Sequence, residues 1–156
     1  MPDKLSFPGL LPAGFHIKTL EEIKALCVDN FPTSMTRPVI FDNFVRHMIS
    51  PLVKMGMMCD VWIDGSFITE KENPEDVDIL IEYDPTKNYQ PQQIESIYTF
   101  LKMCVANPAF KCQCLCDAYA VPTNNQESVA YWMGQFGFNR DRTPKGLAVI
   151  QINGGK

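Results

Sequence analysis

The sequence predicts a mixed α/β fold, α+β in arrangement: a short, mixed, twisted sheet with flanking helices. Two short runs rich in β-branched and aromatic residues, Val61-Trp62-Ile63 and Val77-Asp78-Ile79-Leu80-Ile81, read as strands. They are separated from segments whose apolar residues recur at helical spacing. A length of 156 residues, 46% hydrophobic and 21% charged, suits one domain with a packed core over residues 1–156.

In chain order, Pro2, Pro8, Pro12, Gly9 and Gly14 predict an extended, irregular N-terminal arm over residues 1–18. Thr19 and Glu22 have the spacing of a capping box, which starts a helix that buries Leu20, Ile23, Leu26 and Cys27 and runs to about Asn30. Pro38 opens a second helix with a stripe from Val39 to Leu52. Pro51 kinks that helix or restarts it with Ser50 as a new cap, and Gly56 stops it. Strands follow at Met58 to Ile63 and Val77 to Tyr83. A third helix spans Gln92 to Ala106, broken by Asn107-Pro108, and a third strand spans Cys112 to Val121. A short helix from Glu127 to Phe136, a last strand from Leu147 to Ile152 and a flexible tail over residues 153–156 complete the expected order.

Composition narrows the function classes. A formal net charge of -4 argues against gripping long nucleic acid by phosphate neutralisation, though it leaves room for a nucleotide. The six cysteines are scattered, with Cys112, Cys114 and Cys116 alternating as if on one strand face, and are expected to be buried and reduced. That spacing is not a zinc motif, and neither His16 nor His47 adds to it. No apolar run is long enough to cross a bilayer and Met1 to Leu5 lacks a secretory pattern, so the expected location is cytoplasmic, with no membrane partner.

The chemistry-bearing residues begin in and around the first two strands. Gly65 and Ser66 form a turn whose amides and hydroxyl suit phosphate oxygens. Asp76 and Asp78, one residue apart, project from the same side of the following strand. Two like charges so close call for a cation, and carboxylates that accompany phosphates suit Mg²⁺ (or Mn²⁺). Asp117, on a later strand, becomes a third metal-binding and catalytic acid if that strand lies beside the second. The plain alternative for Asp117 is a hydrogen-bonded residue at a strand end. Asp64 reads as a local cap of the Gly-Ser turn, and Asp60 and Glu82 read as solvated. Near the C-terminus, Arg140, Arg142 and Lys145 either meet a triphosphate or belong to a solvated loop. Gly146 beside them would let the backbone approach a ligand. Trp62, Trp132, Phe136 and Phe138 read as core.

An apolar residue, Gly65-Ser66 and then the acidic-apolar-acidic-apolar strand from Asp76 resemble the nucleotidyltransferase superfamily of DNA polymerase beta, in particular its minimal bacterial and phage members. The resemblance covers about Val61 to Val121 and implies a nucleotidyltransferase-like fold, nucleotide binding (ATP or another nucleoside triphosphate) at Gly65-Ser66 and metal at Asp76 and Asp78, with Asp117 as the loosest match. The activity it implies is Mg²⁺-dependent transfer of a nucleoside monophosphate to a hydroxyl, with release of pyrophosphate. The acceptor is open: protein, RNA end or small molecule. Two other readings stand beside it, a non-catalytic interaction protein such as the antitoxin-like half of a toxin-antitoxin pair, which would have a protein partner, and a nucleotide sensor.

Overall fold

Strands β1 (Gly14–Ile17), β2 (Met58–Asp64), β3 (Val77–Tyr83), β4 (Cys116–Pro122) and β5 (Gly146–Asn153) form one open sheet in the order β1-β5-β2-β3-β4. This is a computed structural model, and it describes residues 7–138 and 142–153. β2 runs antiparallel to both β3 and β5, whereas the β1-β5 and β3-β4 pairs are parallel, so the sheet is mixed. β2 and β3 alternate as their sequences require. Val61 and Ile63 share one face with Ile79 and Ile81, and all four are shut off from water. Each such side chain contributes about 1.5–3 kcal/mol by burial.

That face carries most of the helices. The chain forms α1 (Leu20–Lys24), then α2 (Arg37–Phe44) and α3 (Ser50–Lys54), and later α4 (Pro91–Cys104). Their Ile23, Ile40, Phe44, Leu52, Ile97 and Phe100 complete the larger core. Thr19 caps α1 through the capping box that its spacing with Glu22 predicts. The opposite face is covered by α6 (Gln126–Phe136), where Trp62, Leu80, Val149 and Phe136 make a smaller second core. Trp62 and Phe136 meet edge to face at 6.3 Å. Of the four aromatics expected in the core, Trp132 is half-buried and Phe138 is 44% exposed.

Three local expectations are corrected. Pro51 does not restart its helix with Ser50 as a cap, because the backbone stays helical through Ile49 and Ser50 and Ser50 makes no capping hydrogen bond; a wider π-helical turn (Val45–Ile49) precedes the proline instead. Such a turn makes room for a ring that would otherwise strike the carbonyl four residues back. The arm includes β1, which pairs with β5 in the register Phe15↔Leu147. The third correction matters most for function: Cys112 is not in a strand. Asn107 accepts hydrogen bonds from the backbone N–H groups of Ala109 (3.0 Å) and Phe110 (3.4 Å), and Pro108 follows at the first helical position. The result is α5 (Pro108–Cys114), ended by Leu115 in the left-handed region at φ 57. The cysteine alternation is therefore no strand face, with Cys112 exposed on α5 while Cys114 and Cys116 are buried. All six cysteines are free, and burial pushes the thiols of Cys27, Cys59, Cys104 and Cys116 up to about 12. No helix among the described residues is long and apolar enough to cross a membrane.

Candidate functional site

Sheet register gathers the acids. In the antiparallel β2-β3 ladder Asp64 lies opposite Asp78, and in the parallel β3-β4 ladder Asp78 lies beside Asp117. Three adjacent strands thus contribute one aspartate each to a single row, on the face that also carries Trp62, Leu80 and Tyr119. Laterally paired side chains stand about 5 Å apart at Cβ, and like charges so placed repel. Asp76, one residue before β3 begins, joins the row through Lys111, whose ammonium lies 3.5 Å from Asp76 Oδ2 and 3.5 Å from Asp117 Oδ2. Of the four acids, Asp64 is the most enclosed, at 3% exposure. Lys145, at the entrance to β5, reaches it with Nζ 2.9 Å from Oδ1.

The electrostatics follow from that crowding. Burial pushes the Asp78 carboxyl up to about 6, and Asp76, Asp117 and Asp64 push it the same way against the pull of Lys145. Burial also raises Asp64, opposed by Lys145 and by the Gly65 backbone N–H. Asp117 and then Asp76 raise Lys111, holding its ammonium charged. Tyr119 is raised by burial and then by Asp117 and Asp78.

The Gly-Ser turn stands against this row. Gly65 adopts φ 81, and a Cβ built there would lie 2.5 Å from Asp78 Oδ2. The close approach that requires glycine is thus made by a side chain of the site itself. Ser66 opens a 3₁₀ turn (Ser66–Ile68), its carbonyl accepts from the Thr69 N–H and hydroxyl, and its own hydroxyl has no hydrogen bond among the described residues. Gly146 needs its bare Cα for a similar internal reason, since a Cβ would run into the Pro12 carbonyl oxygen.

What holds the turn in place is Arg37, which is fully buried. Its guanidinium donates to the carbonyls of Phe67 (2.6 Å), Thr69 (2.6 Å), Cys27 (2.9 Å) and, twice, Lys71 (2.6 and 3.2 Å). It also stacks on the Phe31 ring at 3.7 Å. Asn73 Oδ1 accepts from the Met35 N–H (2.7 Å) and the Ser34 hydroxyl (3.2 Å), tying the same loop to the chain ahead of α2. The turn is therefore backed by a rigid wall.

Among the expected site residues, Gly65, Ser66, Asp76, Asp78, Asp117 and Lys145 come together at one rim of the sheet. Arg142 is exposed in the turn before β5, with φ 68, and Arg140 lies outside the described residues. Sequence reasoning missed Lys111, Arg37 and the place of Asp64 in the row. Asn107-Pro108, a cap followed by proline, was a readable start signal for α5 and hence for Lys111. The alternation of Asp60, Trp62 and Asp64 along β2 would have put Asp64 on the face of the row. Nothing local distinguishes Arg37. Among the described residues, no three His, Cys, Asp or Glu side chains are gathered closely enough as they stand to grip a metal. Among the described residues, the cations that meet the acids here are lysines. A shallow groove lined by residues 53–56 and by Gln92, Gln93 and Ser96 lies at the other end of β2 from Asp64 and holds none of the acids.

The chain belongs to a family described as of unknown function (DUF6932), whose model matches residues 4–151. Comparison with curated proteins and with solved structures gave no match.

Proposed function

We propose that this rim binds a nucleoside triphosphate with Mg²⁺ or Mn²⁺ and transfers its nucleoside monophosphate to a hydroxyl acceptor. The single observation that carries the reading is the lateral row Asp64, Asp78, Asp117 set against the Gly65-Ser66 turn. The donor set fits a hard divalent ion, since it offers carboxylate oxygens and neither thiol nor imidazole. Ammonium groups already standing at those oxygens act as stand-ins for such a charge. Asp76, Asp78 and Asp117 would hold the metal, which when bound would neutralise charge on the phosphates and on the leaving group.

The chain's own residues supply the rest. Gly65 and Ser66 orient the triphosphate with backbone amides and the free hydroxyl, and Arg142 meets its outer charge, while Lys145 stays paired with Asp64. Asp117 accepts the proton of the attacking hydroxyl as the new oxygen-phosphorus bond forms at the α-phosphate. The bond from the α-phosphorus to the bridging oxygen breaks, and pyrophosphate leaves. Positioning and charge stabilisation account for the rate, with no covalent enzyme intermediate.

A second reading has its own support. Lys111 and Lys145 offset part of the acids' charge from within, pairing with Asp76, Asp117 and Asp64, which would suit a nucleotide sensor or a non-catalytic binding partner, antitoxin-like in role. Melting curves with ATP, GTP, CTP or UTP and Mg²⁺ or Mn²⁺ separate these readings, because a ligand of the native state raises Tm by mass action. A rise lost in the Asp76→Asn, Asp78→Asn double variant supports the metal-nucleotide site. Pyrophosphate release with a hydroxyl acceptor then marks an enzyme, and binding without release a sensor. Indifference to every nucleotide rejects both and leaves the interaction protein.

A further inference from the structure

Resting on that metal-site reading, we propose that Lys111 is the resident cation of the site, which must leave before a divalent ion can join Asp76 to Asp117. The placement of Lys111 is built into the fold. The Leu115 N–H donates to the Lys111 carbonyl, and the Val77 N–H donates to the Leu115 carbonyl at 3.0 Å, so the end of α5 is stitched to the start of β3. This fixes the Lys111 backbone beside both acids. Its ammonium is shared evenly, 3.5 Å from each Oδ2. Both distances exceed the roughly 2.7–2.9 Å of a strong charged hydrogen bond, so the ammonium bridges the acids without being locked to either.

The head group is also free to leave. Lys111 is 47% exposed, and the oxygens that it bridges belong to side chains only 26% and 22% exposed. A flexible four-carbon stem lets the charge swing outward while the carboxylates stay. Mg²⁺ draws its oxygens to about 2.0–2.1 Å, with Mn²⁺ sharing that preference for oxygen ligands, and no ammonium can occupy the same centre. Lysine and divalent ion therefore exclude one another. Lys145 differs, since it is directed to Asp64, at the other end of the row from Asp117.

The test is a Mn²⁺ titration of the whole chain without nucleotide, followed by electron paramagnetic resonance of the free ion at fixed pH and ionic strength. Lys111→Met should bind Mn²⁺ roughly three- to tenfold tighter than the unaltered protein, the range expected for losing a weak internal competitor. Lys111→Arg, which keeps a cation at the acids, should stay within about twofold of the unaltered protein. Lys54→Met, an exposed lysine of α3 at the other end of β2 from Asp64, controls for the simple removal of a positive charge and should change Kd by less than about twofold. Binding by Lys111→Met no tighter than the unaltered protein overturns the inference, as does an equal gain in Lys54→Met. Mn²⁺ binding by none of the proteins overturns the metal reading itself, and this inference with it. Far-ultraviolet circular dichroism on each variant confirms that the fold compared is the same.

Discussion

Two lysines meet the same acidic row in different ways. Lys145 and Asp64 are 13% and 4% exposed at the side chain and 2.9 Å apart, whereas Lys111 is 47% exposed and stands 3.5 Å from two acids. The first pair is enclosed, so either charge left alone would be stranded away from water. The second is open to solvent, which takes over when it parts. The difference teaches that counter-charge at this rim has two jobs: one lysine belongs to the fold, and the other is exchangeable.

Arg37 extends the contrast to its limit and should show the largest effect. It is wholly buried and supplies hydrogen bonds to four backbone carbonyls, so Arg37→Met should lower stability by about 4 kcal/mol or more, read by urea denaturation. A loss below about 1 kcal/mol would mean that the turn is held by something else. Next, Lys145→Met should cost about 3 kcal/mol, since it leaves Asp64 buried and unpaired. Lys111→Met should cost under about 1 kcal/mol in the same assay. Equal losses for the two lysines would break the comparison.

Acid in the middle of the row offers a pH test. The folded-state pKa of Asp78 is raised from 3.8 to about 6, so its proton is bound more tightly in the folded chain than in the unfolded one. Its contribution to stability is thus fully present below about pH 4 and is lost as pH rises through about 6. Between those limits the metal-free protein should lose about 2–3 kcal/mol, and Asp78→Asn should flatten that part of the profile and gain stability at neutral pH. Denaturation curves across pH 4 to 8 measure both. A slope unchanged in Asp78→Asn would remove Asp78 from the account.

The capping box at Thr19 was legible because it spans three residues, and the two central strands because alternation is a local pattern. By the same token Asp76, Asp78 and the Gly65-Ser66 turn stand out as chemistry before any fold is known. The failures were also local at first sight. The run from Cys112 looked like a strand by alternation, yet Asn107 and Pro108 supply a helix start that prevails as far as Cys114. Pro51 looked like a break, and a widened turn ahead of it absorbs the ring.

The sequence by itself determined the two central strands, the turn and the identity of the acids, because backbone preference and side-chain alternation act over a few neighbouring residues. Only the tertiary structure decided that Asp64, Asp78 and Asp117 form one row and that Arg37, Lys111 and Lys145 serve it. Those relations depend on strand register and on charges meeting across long stretches of chain. A shift of one residue in either ladder would turn an acid to the other face of the sheet.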